Sequence, residues 1–246
     1  MTPFKDHFSG HAALYAAARP HYPDALYAWL AAQAPARRLA VDVGCGNGQA
    51  TLALAAHFER VIGIDPSAQQ LAAAPAHPRV CYEVRAAEDL AAIDADLVTV
   101  AQALHWFDVG RFYEAVKAAL APGGVLAAWS YGLMRCDPLI DEELDALEAS
   151  IRPWWPPERA HVDSGYRSLP FPFAEIPAPA FDMEAHWTLA QLLDYLRTWS
   201  AVRRHDQASG ADVIADVTPA LTRAWGDPAR VRRVFWPLAL RVGRVA

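Results

Sequence analysis

A doubly wound α/β fold on a mainly parallel, seven-stranded sheet is what the order of residues in this chain predicts. Three observations carry the prediction. Short β-branched runs alternate with longer Ala/Leu-rich segments; a glycine-rich turn, VDVGCGNGQA at 41–50, closes the first of those runs; and Pro122-Gly123-Gly124 separates a helical stretch from a fifth apolar run. Unbroken apolarity is expected of strands covered by helices on both faces, and this alternation is the mark of βαβ units.

The elements follow in order. Asp24 to Gln33 reads as a helix opening just after Pro23, and ahead of it the irregular stretch from Phe8 to Tyr22 carries Tyr15, Arg19, His21 and Tyr22, a composition suited to holding something polar. Leu39 to Val43, Val61 to Asp65, Val80 to Arg85, Leu97 to Gln102 and Val125 to Tyr131 are the five core strands. Ala50 to Phe58, Ser67 to Ala74 and Arg111 to Leu120 have the length and propensity of crossover helices, with Ser67 a suitable N-cap and the PGG run a stop. Past the fifth strand, Asp141 to Ser150 reads as a helix. Ile151 to Pro179, rich in proline and carrying Trp154 and Trp155, is expected to lack regular structure and to serve as a lid or packed surface loop. Phe181 to Leu189 and Val234 to Val242 then supply two late strands around a helix from Leu189 to Arg204, which brings the sheet to seven.

Composition narrows the function. At 246 residues, 54% of them apolar and 20% charged, the chain can bury a full core as one domain. The opening MTPFKDHFSG lacks the apolar segment of a signal peptide, and no stretch stays apolar for the roughly 20 residues of a membrane helix, so a soluble, cytoplasmic protein without a membrane partner is expected. Cys45, Cys81 and Cys136 are odd in number and far apart, which suits a reducing compartment and neither a disulfide framework nor a metal pair. A net charge of −6 opposes nucleic-acid binding, although Arg230, Arg232 and Arg233 could form a local basic patch. His7, His11 and His21 lie close in sequence but have no carboxylate cluster beside them, so no metal site is assigned.

A glycine-rich turn between a strand and a helix offers backbone N–H groups and a helix N-terminus to a ligand that comes close to the main chain. The dinucleotide spacing G-x-G-x-x-G fails here: counted from Gly44 its third position falls on Gln49, and counted from Gly46 on Thr51. Asp42 beside the turn would repel a pyrophosphate and attract an ammonium or sulfonium. Asp65 ends the second strand in IGIDPS, where a carboxylate can accept hydrogen bonds from ribose hydroxyls. A nucleoside with a cationic amino-acid arm and no phosphate fits both, and that describes S-adenosylmethionine.

On VDVGCGNG and IGIDPS the chain resembles the class I S-adenosylmethionine-dependent methyltransferases, whose fold is Rossmann-like. FSGHAALYAAARPHYP, AQALHWF and LRVGR are further similar to the type-11 group around trans-aconitate methyltransferase-like enzymes. The resemblance implies an N-terminal helical lid at 1–35, a cofactor-binding core at 36–131, a cap at 132–180 and sheet-completing helices and strands at 181–246. It implies cofactor contacts from Asp42, Gly44, Cys45, Gly46, Gly48, Asp65, Pro66, Ala87, Glu88 and Gln102, with Tyr15 and Tyr22 closing over the methionine arm. Cys45 is read as a small filler among glycines and not as a nucleophile.

His105 follows a strand whose carboxyl end opens onto the ligand crevice of a doubly wound sheet, so it is the candidate proton acceptor if the methyl acceptor is a hydroxyl or amine, with core packing as the competing role. If the acceptor is a carboxylate, no base is required and cations should hold it; Arg19 is the first choice, with the cofactor's own carboxylate as its other possible partner. The expected activity is methyl transfer to a small molecule, by a monomer or homodimer. A sensor that binds S-adenosylmethionine without transfer is the alternative, and an NAD-dependent oxidoreductase a more distant one. A nucleic-acid base is disfavoured as target, because Ala101-Gln102-Ala103-Leu104 stands where Asn/Asp-Pro-Pro-aromatic would be expected and Pro-Cys is absent.

Overall fold

The computed structural model describes residues 20–245. Its centre is a mixed sheet in the order β3-β2-β1-β4-β5-β8, with β6 and β7 both on β8. The parallel part is β1 (Leu39–Val43), β2 (Arg60–Asp65), β3 (Val80–Val84), β4 (Ala95–Ala101) and β5 (Leu120–Tyr131). β8 (Arg232–Arg244) is antiparallel to β5 over its second half and to β7 (Asp182–Trp187) over its first. Seven of these eight strands match the expected number. The eighth, β6 (Ala174–Glu175), is a two-residue pairing on the end of β8, too short to leave a periodic signal.

Each strand sends alternate residues to opposite faces, and both faces are covered. On one face Val61, Leu97, Val125, Ala127 and Trp129 pack beneath α1 (Asp24–Gln33), α5 (Pro138–Ile151), α7 (Leu189–Arg197), α8 (Ser200–Ser209) and α9 (Val213–Trp225). On the other, Val41, Ile62, Val98 and Leu126 meet Phe112 and Val116 of α4 (Val109–Ala119), with Val162 and Tyr166 from the cap. Burying side chains of this size stabilises the fold by about 1.5–3 kcal/mol each. Short helices α2 (Gln49–Leu54) and α3 (Ala68–Ala72) open just after β1 and β2, and Ser67 caps α3 by accepting the Gln70 N–H as expected.

Two expectations need correction, and one helix is new. The proline-rich cap is not wholly irregular: a 3₁₀ turn at Arg152–Trp154 and helix α6 (Arg159–Asp163) lie within it, prolines occupying positions where no helical N–H is required. The helix expected from Leu189 to Arg204 is two helices, because Trp199 turns to extended backbone to pack its buried ring against Trp155 and Tyr195. Helix α9 escapes a sequence reading because Pro219 lies inside it; Asp212 caps it and Ile214, Leu221 and Trp225 anchor it in the core. No helix among the described residues is long and apolar enough to cross a membrane.

Candidate active site

Parallel strands bring their carboxyl ends to one edge, and there the glycine turn meets the loops after β2, β3 and β4. Gly44, Gly46 and Gly48 all have left-handed backbone, at φ +68°, +56° and +84°. Two of them are bare for reasons internal to the protein. A Cβ on Gly44 would lie 2.6 Å from the Ala103 Cβ, and one on Gly48 would strike the Tyr82 hydroxyl. Gly46 alone faces open space, with nothing nearer to its absent Cβ than Gln70 Oε1 at 4.0 Å. The close approach of a ligand to the main chain is therefore available at Gly46.

Asp65 shapes that turn. One carboxylate oxygen accepts the Gly46 N–H at 2.9 Å and the other the Ser67 N–H at 2.8 Å, so the end of β2 and the glycine turn are held as one unit. Gly44 and Cys45 donate their N–H groups to the Ile64 carbonyl, which fastens the turn to β2 a second time. Pro66 is exposed beside it. The Cys45 thiol is buried and pushed up in pKa by desolvation and by Asp42, so it stays neutral, consistent with a filler.

Asp42 requires a correction. It is expected to face a cationic ligand directly, yet it is fully buried and its two oxygens accept the hydroxyls of Thr51 at 2.7 Å and Thr99 at 2.8 Å. Its work is to tie β1 to β4 and to the first turn of α2. Desolvation pushes its pKa up to about 6 against the pull of the two hydroxyl bonds, so above that pH a negative charge still lies beneath the glycines.

Ala87 and Glu88 sit in a 3₁₀ turn after β3, with Ala87 buried; Glu88 accepts the Asp108 N–H at 2.8 Å and so joins this turn to the start of α4. Gln102, at the end of β4, is one of three non-glycine residues with left-handed backbone among the described residues, φ +55°, and its side-chain amide donates to the Tyr131 carbonyl at 3.0 Å. Such a conformation costs about 1–3 kcal/mol and persists where surroundings over-determine it. Tyr22 packs edge-on against Trp129 with ring centroids 5.5 Å apart and is buried, which places it in the core instead of over a methionine arm. Tyr15 and Arg19 lie outside the described residues, as do His7 and His11; His21 is within hydrogen-bonding distance of Gln49 Nε2 at 3.0 Å.

Gln102 also borders a second space, a pocket of about 120 Å³ whose walls include His105, Trp106, Trp155, Arg159, Trp199 and Arg203. The sequence reading places His105 here and misses both arginines. Arg159, on α6, gives its Nε–H to Asp163 at 2.8 Å and lies 4.6 Å over the Trp155 ring. Arg203, on α8, has no hydrogen bond or ion pair through its guanidinium among the described residues. The Trp155 indole N–H is likewise buried without a partner among them. His105 Nδ1 is 3.2 Å from the Tyr166 hydroxyl. Burial, reinforced by Arg159 and His161, lowers its pKa to about 3, so the imidazole is neutral at physiological pH and a weak base. The suggested basic patch dissolves by contrast, since Arg232 pairs with Asp137 and Arg233 with Asp182 and Glu184.

Residues 41–128, from β1 into β5, match the family described as the methyltransferase domain. A Dictyostelium discoideum protein named as a methyltransferase is 34% identical over 231 residues, covering 91% of this chain and 88% of its own length. This chain belongs to the methyltransferase family. A solved structure from Anaeromyxobacter dehalogenans, described as a type II methyltransferase, is similar to the chain with a TM-score of 0.88 at 50% identity, covering 92% of this chain and 98% of that one. A Saccharomyces cerevisiae protein whose name specifies an S-adenosylmethionine-dependent methyltransferase is 36% identical over 105 residues, spanning 39% of this methyltransferase and 36% of the yeast protein. The family is the one the glycine motif and the acidic loop resemble, and its chemistry is methylation with S-adenosylmethionine. That leaves the dinucleotide oxidoreductase and the inert sensor without support.

Proposed function

We propose that this methyltransferase moves the methyl group of S-adenosylmethionine to a carboxylate oxygen of a small anionic molecule bound in the pocket between Gln102 and the cap. The observation that carries the reading is Arg203, a guanidinium on the pocket wall with no anionic partner among the described residues. Arg159 adds a second cation, and the Trp155 N–H a buried donor in want of an acceptor. A half-buried pocket of this polarity favours an anion.

The residues of the strand edge fit the methyl donor. Gly46 leaves room for a ligand to lie on the main chain, Asp65 presents a carboxylate to its ribose, and Ala87 and Glu88 stand where the base would lie. When bound, S-adenosylmethionine supplies a methyl carbon activated by positive sulfur: the acceptor oxygen forms the new O–C bond as the C–S bond breaks, the bonding pair passes to sulfur, and no proton is released. The chain therefore has to orient and desolvate, not to remove a proton. Arg159 and Arg203 hold the acceptor's charge, the Trp106, Trp155 and Trp199 rings exclude water, and a neutral His105 is compatible with an acceptor that needs no base.

The test is a panel of small carboxylic acids, phenols and amines incubated with S-adenosylmethionine and the full chain, with products read by mass spectrometry. Methyl esters are expected. Methylation confined to phenols or amines would overturn the carboxylate assignment.

A further inference from the structure

His105 and Tyr166 come from opposite parts of the chain, and the cap goes to some length to bring them together. Gly165 and Tyr166 are consecutive residues with left-handed backbone, φ +58° and +62°, and the first must be glycine because a Cβ there would lie 2.7 Å from the Ala239 Cβ. A tyrosine held in this conformation is a conformational outlier that the surroundings have to enforce. They do so through its main chain: the Tyr166 N–H donates to the His161 carbonyl at 2.8 Å, and its own carbonyl accepts from Arg241 of β8 at 3.0 Å. Arg241 is fixed in turn by an ion pair to Glu175 and by lying 4.5 Å over the Phe171 ring.

The result is a fully buried phenol whose hydroxyl meets His105 Nδ1. A buried hydroxyl hydrogen requires an acceptor, and among the described residues His105 Nδ1 is the hydrogen-bond partner of this one. With Nδ1 accepting, a neutral imidazole carries its hydrogen on Nε2, the nitrogen left for the pocket that His105 lines.

We infer that Tyr166 is a positioning residue that locks His105 in the Nε2–H tautomer, so that His105 acts toward the methyl acceptor as a hydrogen-bond donor and not as a base. The donor role toward an acceptor oxygen rests on the proposed carboxylate reading; the tautomer does not. The strained turn at 165–166 is what aims the imidazole.

Long-range proton–nitrogen correlation spectra of the full chain labelled with ¹⁵N-histidine test this. His105 is expected to show a protonated Nε2 and a bare Nδ1 at pH 7, and Tyr166→Phe to shift the two nitrogens toward a mixture while raising KM for the acceptor at least fivefold and leaving KM for S-adenosylmethionine within twofold. A proton on Nδ1 in the native chain, or an unaltered imidazole in Tyr166→Phe, overturns the inference. Should Tyr166→Phe fail to fold, the native spectrum still decides. An Nε2–H signal in a chain that methylates no carboxylic acid would overturn the carboxylate reading while leaving the tautomer in place.

Discussion

Asp65 accepts the backbone N–H of Gly46 at 2.9 Å across 19 positions of sequence, so the residue proposed to grip the ribose also sets the shape of the turn that admits the ligand. The two functions predict a common loss. Asp65→Ala should weaken binding of S-adenosylhomocysteine by about 1.5–3 kcal/mol, the scale of hydrogen bonds to a charged group, or roughly tenfold to a hundredfold. Titration calorimetry measures this directly, and affinity within threefold of the native chain would remove Asp65 from the site.

The glycines separate ligand space from packing space. Gly46→Ala should lower stability by about 1–2 kcal/mol, the cost of left-handed backbone for an L-residue. Gly44→Ala adds a collision with Ala103, and overpacking brings about 1–3 kcal/mol more. Denaturant unfolding should rank Gly44→Ala below Gly46→Ala, whereas ligand affinity should fall in both. Equal stabilities would show that the space at Gly44 is not filled by the protein.

What was legible in the sequence is what local pattern controls. Strand β1 and helix α1 have the bounds read from the sequence, since continuous apolarity around a single buried Asp42 marks the strand and Pro23 marks the start of the helix. The Gly46 and Asp65 assignments follow from turn chemistry close to the strand ends. Asp42 was misplaced because nothing in VDVG tells whether a carboxylate points to a ligand or to Thr51 and Thr99, the latter 57 positions away. Arg203, Arg159 and Tyr166 were missed for the same reason. They reach the pocket from helices and a strained turn whose placement depends on long-range packing, and Tyr166 meets His105 across 61 positions. The Gly165 in DSGYR was the one local signal for that turn.

Buried Asp42 gives stability a pH dependence of defined sign. Its folded pKa, about 6, lies above the ordinary carboxylate value of 3.8, so the folded state holds its proton more tightly than the unfolded one. The contribution is present in full below pH 4 and is lost as pH rises through 6, a change of about 3 kcal/mol. Asp42→Asn abolishes that slope. Unfolding free energies at pH 4 and pH 7.5 should therefore show the variant gaining on the native chain by about this amount as pH rises; no change in the difference would mean that Asp42 is better solvated than its burial indicates.

His105 acts in the opposite direction. Its pKa is lowered to about 3, so as pH falls below the ordinary histidine value of 6.5 the unfolded chain takes up a proton that the folded chain refuses. At pH 5 this loss is about 2 kcal/mol. Replacing the residue in His105→Gln removes the penalty, and the stability difference between variant and native chain should shift by that amount in the variant's favour between pH 7.5 and pH 5. A constant difference would mean that the imidazole titrates normally and is available as a base after all.

The two arginines of the pocket predict a division between acceptor and cofactor. Arg203 comes from α8 and Arg159 from the cap, and neither is among the residues of the glycine turn or the β2 loop. Arg203→Ala removes a cation that has no other partner among the described residues, so folding should be little affected, whereas a bound carboxylate loses a charged hydrogen bond of about 1.5–3 kcal/mol. KM for the acceptor should rise tenfold to a hundredfold with KM for S-adenosylmethionine within twofold. Arg159→Ala should act in the same direction and also loosen the cap, because it strips the cation from the Trp155 ring and the partner from Asp163. Initial-rate kinetics with either substrate varied separate these outcomes. A rise in KM for S-adenosylmethionine in Arg203→Ala, with the acceptor unaffected, would place the guanidinium on the methyl donor's own carboxylate and move the acceptor out of this pocket.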